Sequence, residues 1–236
     1  MKPIAIFRHL EIEGPGYLAE FLDAHAIPWQ LIRIDAGDAV PDDATQFSGL
    51  VFMGGPMSVN DDLPWIAREL ELIRQAVGRD IPVLGHCLGG QLMSKALGGV
   101  VVRNPVKEIG WGELTLSPNG VAHAWLGELR SFDAFHWHGE TFSLPAAAVR
   151  LLSGRHCANQ AFAMGKHLGL QCHVEMTAEM IRDWCEHGAG ELAASASSPG
   201  VQSAETIQAQ IDDKLPQLHA VARQLYSQWL RGLSQE

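Results

Sequence analysis

The N-terminal part of the chain alternates short strand-like runs with segments that have helical periodicity. Most of these runs are apolar, and 29–34 alternates apolar and polar residues. Segments 3–8, 29–34, 50–53 and 81–84 are predicted strands, and segments 17–24 and 66–77 are predicted helices. Wholly apolar strands are typical of a parallel sheet that is covered on both faces, because a half-exposed strand would alternate apolar and polar residues. The pattern predicts an α/β fold, with a doubly wound, mostly parallel sheet and helices on both faces.

The pattern changes after Gly99. Short strand-like pieces separated by turn residues follow, at 100–102, 113–116, 132–137, 161–164 and 168–172. We therefore expect the region from Gly99 to Thr177 to be mostly β.

The C-terminal part of the chain contains a run of small residues at 195–200 and then apolar residues at helical spacing from 204 to 230. Pro216 lies within this predicted helix, where a kink or a break is expected. The predicted organisation is one domain, 1–236, with a core at 1–190, a linker at 191–203 and a helical extension at 204–236.

Charge and cysteine content narrow the classes of function. Lys and Arg total 17 against 27 Asp and Glu, a net charge of -10, which argues against nucleic acid or an anionic membrane as partner. We find neither a signal peptide nor an apolar run long enough to span a bilayer, so a cytoplasmic location is expected. The four cysteines lack the spacing of a zinc site and the density of a disulfide framework, and reduced thiols are expected.

One of these cysteines follows a predicted strand in the segment Gly85-His86-Cys87-Leu88-Gly89-Gly90-Gln91. A nucleophile between glycines, after an apolar strand and before a helix, has the layout of a nucleophile elbow. The N-terminus of the helix favours the thiolate, which is the form that attacks carbonyl groups. The alternative is that Cys87 is a buried thiol that only packs, as most free cysteines do.

A thiolate nucleophile needs a proton carrier, and the segment Gln171-Cys172-His173-Val174-Glu175 supplies one. On an extended backbone, residues two apart point to the same side, so Glu175 can orient His173. His173 would then shuttle the proton, as in a Cys-His-Glu triad. Alone, a His-x-Glu sequence is common on exposed strands and is weak evidence.

Together, the two segments 85–91 and 171–175 resemble the class I glutamine amidotransferases, which carry Gly-x-Cys-x-Gly-x-Gln and a downstream His-x-Glu in this order. The segment 53–58 is similar to the glycine-rich oxyanion strand of that family, although it also reads as an ordinary turn. His138-Gly139-Glu140 is similar to a His-Gly-Asp segment of the GMP synthetase branch. The resemblance extends over roughly residues 3–180 and implies a flavodoxin-like fold.

The resemblance implies a role for each matching residue. Cys87 would attack the side-chain amide of glutamine, His173 would protonate the departing ammonia and later activate water, and Glu175 would hold His173. The backbone N–H groups of Gly55 and Leu88 would bind the oxyanion. The implied contacts to the substrate are Gln91, His138 and Gly139.

Two departures from the GMP synthetase branch limit what the resemblance implies. Trp137 stands where that branch has a small residue, and no ATP-pyrophosphatase segment follows the amidase. Ammonia would then be released or passed to a separate synthetase, and the sequence does not identify the molecule that accepts it.

Histidines at 136, 138 and 156, the last beside Cys157, could be imagined as metal ligands. They lack the complete spacing of a zinc site, and we expect no metal. Without a Gly-x-Gly-x-x-Gly or phosphate loop, no cofactor is expected either.

Three functions remain compatible with the sequence. The first is a glutamine amidotransferase-like hydrolase that releases ammonia from glutamine. The second keeps the triad and acts as a γ-glutamyl peptidase on γ-glutamyl amides. The third is a non-catalytic, regulatory protein that uses its C-terminal helix to bind a partner.

Overall fold

The apolar runs and periodic segments of the sequence form a ten-stranded sheet and eight α-helices in the computed structural model, which describes residues 1–233. The strands are β1 (Ile4–Arg8), β2 (Trp29–Arg33), β3 (Gly49–Phe52), β4 (Val83–His86), β5 (Val101–Leu116), β6 (Ser131–Phe142), β7 (Val149–Gly154), β8 (Ala161–Met164), β9 (His167–Leu170) and β10 (Gly200–Val201). The helices are α1 (Tyr17–Ala24), α2 (Pro64–Gly78), α3 (Leu88–Ala96), α4 (Gly120–Leu126), α5 (Ala178–His187), α6 (Ala189–Ser195), α7 (Ala204–Ala209) and α8 (Ile211–Leu230).

The sheet has a parallel half and an antiparallel half. Strands β2, β1, β3, β4 and β9 are parallel neighbours in that order, which is the flavodoxin-like arrangement. Strands β8, β7, β5 and β6 continue the sheet in antiparallel pairs, and β10 pairs parallel with β5. The predicted doubly wound α/β fold is confirmed, and the β-rich region after Gly99 is the antiparallel half of a mixed sheet.

Helices cover both faces of the parallel half, as β1 illustrates. Ile4 and Ile6 belong to a buried cluster with residues of α1 and α8, whereas Ala5 and Phe7 belong to a second cluster with residues of α2 and α3. Successive side chains of a strand point to opposite faces, so a strand between two helical layers must be apolar throughout. This is why the strand pattern could be recognised from the sequence.

The antiparallel half departs from the predicted pieces in its lengths. Segments 100–102 and 113–116 belong to the one long strand β5, whose pairing with β6 shifts register between Arg103 and Glu108. Strand β7 had no counterpart in the sequence prediction. Both differences arise because partly exposed residues and turn-forming residues lie within paired strands, where tertiary pairing overrides local preference.

The C-terminal extension packs on the same core as α1. Its buried residues include Leu218, Leu225 and Trp229. The predicted helix divides into α7 and α8 at Gln210 rather than at Pro216, which lies inside α8, where a proline removes one backbone donor. No helix within residues 1–233 is both long and apolar enough to cross a bilayer.

The segment 191–203, predicted as a linker, contains the end of α6 and strand β10. Leu192 is buried in the core, and Val201 pairs with Ile109 of β5. Residues 234–236 of the predicted extension lie outside the described residues.

Candidate active site

Cys87 occupies a sharp turn between β4 and α3. Its backbone has φ 48° and ψ -104°, in a region that residues with a side chain rarely adopt. Such strain is kept only where the surrounding structure enforces it, and it is concentrated at functional sites. The turn projects the Cys87 side chain to the carboxyl edge of the parallel strands, where it lines an open cavity.

Glycines make this turn possible through close packing. A Cβ atom on Gly89 would meet the carbonyl oxygen of Phe52 in β3, and one on Gly90 would meet that of Leu170 in β9. Both neighbours are backbone atoms of adjacent strands and cannot move aside. The first turn of α3 is therefore packed directly against the ends of the strands that carry the other candidate residues.

Replacing Gly89 with Ala is expected to destabilise the protein by about 3 kcal/mol, because the new methyl group overlaps the backbone of β3. Gly78, at the end of α2, is the control because a Cβ there meets open space. Gly78→Ala should leave stability within about 1 kcal/mol of the wild type. Urea unfolding measures both variants, and equal stabilities would contradict the packing argument.

His173 and Glu175 lie in the loop that follows β9. The Nδ1 atom of His173 is 2.7 Å from Oε1 of Glu175, and both side chains are buried. The backbone N–H of His173 donates to the carbonyl of Phe135 in β6, which fixes the loop to the antiparallel half. The pair is thus joined as expected from the sequence, although the loop is not a regular strand.

The electrostatics of this pair favour charge separation. Burial lowers the pKa of His173, but the charges of Glu175 and Cys87 outweigh it and hold this pKa well above its ordinary value. Burial raises the pKa of Glu175, but His86 and His173 outweigh it and lower this pKa to about 2. The two residues therefore form an imidazolium–carboxylate pair at neutral pH, and Nε2 of His173 has no hydrogen-bond partner within residues 1–233.

The thiol of Cys87 has two further polar neighbours. The side-chain amide of Gln171 donates to Sγ at 3.5 Å, and Sγ lies 3.9 Å from the carbonyl oxygen of Trp137. Gln91 lines the cavity, and its own amide donates to Gln171 at 3.2 Å. In the sequence, Gln171 is recognisable only as part of the segment 171–175, and its contact with the thiol of Cys87 could not be predicted from that segment.

Gly55 and Leu88, the two residues expected to bind an oxyanion, are neighbours in space. A Cβ on Gly55 would lie 2.7 Å from Cδ2 of Leu88. Within residues 1–233 neither backbone N–H has a hydrogen-bond acceptor, since Gly55 follows β3 and Leu88 opens α3. Two free backbone donors that border the same cavity edge as a candidate nucleophile have the composition of an oxyanion hole.

The cavity beside Cys87 has a volume of about 900 Å³. His138 and Gly139 of β6 line it together with Gln91 of α3, so the three expected substrate contacts border the same cavity. The imidazole of His138 pairs with Glu108, since its Nε2 lies 3.1 Å from a carboxylate oxygen of that residue. The cavity also reaches the irregular segment 103–107 of β5 and the loop after α6.

One group of residues in the described part of the chain has the donor chemistry of a metal site. Ligand atoms of Glu108, His136 and His138 lie within 4.8 Å of one another, all buried. Burial lowers the pKa of His136 to about 4, so its imidazole is neutral. The Glu108 carboxylate already pairs with His138 and accepts a hydrogen bond of 2.9 Å from Gln160. Of the three residues, His138 lines the cavity.

Glu13, in the loop after β1, is a second carboxyl group near the triad that the sequence did not single out. Its Oε2 packs against Gly54, where an added Cβ would also lie 3.2 Å from Cε1 of His173. Burial raises the pKa of Glu13 to about 7, with His173 opposing the shift. The sequence feature that could have identified Glu13 as a site residue is its position just after β1, at the edge of the sheet where the other candidate residues meet.

Comparison with known proteins gives a consistent set of similarities. Residues 20–182 match the family described as glutamine amidotransferase class-I. A glutamine amidotransferase-like protein of Salmonella typhimurium, YfeJ, is 32% identical over 220 residues, which are 88% of this chain and 91% of that protein. A crystal structure described as a glutamine amido transferase from Methylobacillus flagellatus has a TM-score of 0.97 at 44% identity, covering 100% of this chain and 97% of that one.

Two relatives have more specific descriptions. The GMP synthase of Aeropyrum pernix, described as glutamine-hydrolyzing, is 32% identical over 151 residues, or 62% of this chain and 28% of that enzyme. The chain thus spans about a quarter of the length of that synthase. Gamma-glutamyl peptidase 3 of Arabidopsis thaliana is 27% identical over 162 residues, or 65% of each chain.

Proposed function

The chain belongs to the class I glutamine amidotransferase family, and we propose that it hydrolyses the side-chain amide of glutamine through a γ-glutamyl thioester on Cys87. The observation that carries this proposal is the strained turn at Cys87, which opens on a cavity beside the buried pair His173–Glu175. A thiolate next to an imidazolium suits acyl transfer, because the same imidazole can give and take the proton.

Acylation would begin with attack of the Cys87 thiolate on the amide carbon. As the C–S bond forms, negative charge develops on the carbonyl oxygen, and the N–H groups of Gly55 and Leu88 stabilise it. The C–N bond then breaks, and His173 gives its proton to the departing nitrogen, which leaves as ammonia. Glu175 keeps the ring of His173 oriented through Nδ1.

Deacylation would return the enzyme to its starting state. Neutral His173 accepts a proton from water, and the resulting hydroxide attacks the thioester carbon. The C–S bond breaks, glutamate leaves, and the thiolate–imidazolium pair is restored. Gln91, His138 and Gly139 are the proposed contacts that hold the glutamyl group during both steps.

The fate of the ammonia is a separate part of the proposal. The similarity to a GMP synthase covers only about a quarter of that enzyme. We propose that ammonia is released, or is passed to a separate synthetase that binds this chain. Adding a candidate partner should then raise the rate of glutamine hydrolysis or couple it to amination of an acceptor.

A γ-glutamyl peptidase is the second candidate, and the size of the cavity favours it. A volume of about 900 Å³ is at the upper end of small-molecule sites and exceeds what glutamine alone requires. The chemistry is unchanged, since a γ-glutamyl amide presents the same acyl group and only the leaving amine is larger. The similarity to a gamma-glutamyl peptidase supports the same candidate.

Substrate comparison separates the two candidates. Purified protein is incubated with glutamine and with a series of γ-glutamyl dipeptides, and the release of ammonia or amine is measured. A higher kcat/KM for glutamine supports the amidotransferase, and a higher value for dipeptides supports the peptidase. Selective labelling of Cys87 over Cys157, Cys172 and Cys185 by a γ-glutamyl electrophile excludes the non-catalytic alternative, and failure to label supports it.

Glu13→Gln should remove an ionisation near pH 7 from the pH dependence of kcat/KM. The wild-type carboxyl group is neutral below that pH, so the amide mimics it and the two proteins should differ only above about pH 7. Glu191→Gln is the control, because the charge of Glu191 raises the pKa of Glu13. That variant should keep the ionisation and move it to lower pH, and an unchanged profile in Glu13→Gln would contradict the assignment.

A further inference from the structure

The C-terminal helix α8 reaches the back of the proposed triad through Tyr226. We infer that Tyr226 is a positioning residue, which holds His86, and that His86 in turn holds the second carboxylate oxygen of Glu175. This inference rests on the proposed function, because it concerns the same triad. The inference assigns α8 a role in positioning the triad, in addition to its packing on the core.

The two oxygens of Glu175 have different surroundings. Oε1 pairs with His173 at 2.7 Å, whereas Oε2 has no hydrogen-bond partner within residues 1–233. Its polar neighbour is Nε2 of His86, at 3.7 Å. His86 and Glu175 are both buried, so water does not replace a missing donor there. The orientation of the His86 ring therefore controls the support that Oε2 receives.

His86 is oriented by Tyr226. The Tyr226 hydroxyl lies 3.1 Å from Nε2 of His86, and the whole side chain of Tyr226 is inaccessible to solvent. Burial lowers the pKa of His86, with the charge of Glu175 opposing the shift, which favours the neutral ring. With the proton on Nε2, the ring donates to the Tyr226 oxygen at 3.1 Å, and the same N–H dipole faces Oε2 of Glu175 at 3.7 Å without a hydrogen bond. The other nitrogen, Nδ1, has no partner in the described residues, in agreement with this tautomer.

Contacts one and two turns before Tyr226 fix α8 to α1 and to the loop that carries Glu175. Nε2 of His219, two turns earlier in α8, donates to the carbonyl of Met176 at 2.8 Å. The ring of His219 also stacks on Tyr17, with centroids 3.7 Å apart. Arg223 donates to the hydroxyl of Tyr17 at 2.9 Å. The helix is thus held at the residue adjacent to Glu175, and Tyr226 cannot move independently of that loop.

Several other ionisable groups act on the charge of Glu175 or of its partners. His86 comes from β4, Glu13 from the loop after β1, Tyr226 from α8, and His173 and Cys172 from the loop of Glu175 itself. Burial raises the pKa of Cys172 well above its ordinary value, so this thiol stays neutral. Among these groups, Tyr226 with His86 forms the connection from the C-terminal helix.

The two tyrosines of the chain provide a matched test. Tyr226→Phe removes the hydroxyl that contacts His86, and Tyr17→Phe removes a hydroxyl that braces the same helix without touching the triad. The rate of Cys87 alkylation by iodoacetamide is measured against pH by peptide mass spectrometry, which requires no substrate. We expect the Tyr226→Phe profile to move to higher pH and its kcat to fall about 10-fold at unchanged KM. Tyr17→Phe should match the wild type in both.

A double-variant cycle tests whether Tyr226 acts through His86. His86→Leu alone and combined with Tyr226→Phe should alter the alkylation profile equally, because the hydroxyl has nothing to hold once the imidazole is absent. His86→Gln, which retains an N–H donor, should lie between His86→Leu and the wild type. Melting temperatures identify any variant that fails to fold. If a His86 variant fails to fold, the alkylation profiles of Tyr226→Phe and Tyr17→Phe alone test the inference.

A Tyr226→Phe alkylation profile identical to that of the wild type would overturn the inference, as would additive effects in the double variant. Because alkylation is independent of turnover, this result differs from failure of the proposed function. In the latter case no γ-glutamyl compound is hydrolysed by the wild type, whatever the alkylation profile.

Discussion

Cys87→Ala is expected to lower kcat for γ-glutamyl amide hydrolysis by about 10⁴-fold or more, because no other group can form the acyl intermediate. The thiol lies at a turn with φ 48° that faces the cavity, and Gln171 and the Trp137 carbonyl are its polar neighbours. Steady-state release of ammonia or amine measures the loss. Binding of substrate should survive, since alanine removes only the sulfur atom.

Cys185→Ala is the control for this experiment. Cys185 is buried in α5, and burial raises the pKa of its thiol, so it is an inert packing residue. Its removal should leave kcat within about 2-fold of the wild type. A Cys87→Ala variant that kept most of its activity would refute the assignment of the nucleophile.

His173→Asn is expected to lower kcat by about 10³-fold, because the proton can no longer be given to the leaving nitrogen or taken from water. The substitution should also slow alkylation of Cys87 at neutral pH, since the imidazolium that stabilises the thiolate is lost. Both effects have the same origin, so they should appear together.

His123→Asn provides the comparison, because His123 is exposed on α4 and its Nδ1 donates to the carbonyl of Gly127 at the end of the same helix. We expect its kinetics and its alkylation profile to match those of the wild type. If His173→Asn lowered kcat while Cys87 alkylation stayed fast at neutral pH, His173 would act on the substrate alone and not on the thiolate.

Local patterns in the sequence were sufficient for the parallel half of the fold and for the sharp turn that carries Cys87, the proposed nucleophile. Strands β1, β3 and β4 are apolar except for Arg8 and His86 at two of their ends, because helices cover both faces, and such continuous apolar runs can be recognised. The turn at Cys87 could be predicted because glycines flank the cysteine on both sides, between an apolar strand and a short helix. The pairing of His173 with Glu175 was also predictable, since the two residues are close in the chain.

Contacts between distant segments could not be predicted. Tyr226 meets His86 across 140 positions, and nothing in the periodicity of α8 distinguishes this buried tyrosine from an ordinary core residue. Glu13 lies in a turn-rich loop, where a carboxylate is expected to be exposed, and only the folded structure brings it beside His173. The register shift in β5 arises from pairing with β6, which is a tertiary effect.

Mass spectrometry of the acyl-enzyme tests the central claim most directly. The protein is incubated briefly with glutamine and with a panel of γ-glutamyl amides, quenched in acid and digested. We predict that the peptide containing Cys87 gains the mass of one γ-glutamyl group, and that the gain is absent in Cys87→Ala. Turnover without an adduct on Cys87, or an adduct on Cys157, Cys172 or Cys185 instead, would contradict the proposed mechanism.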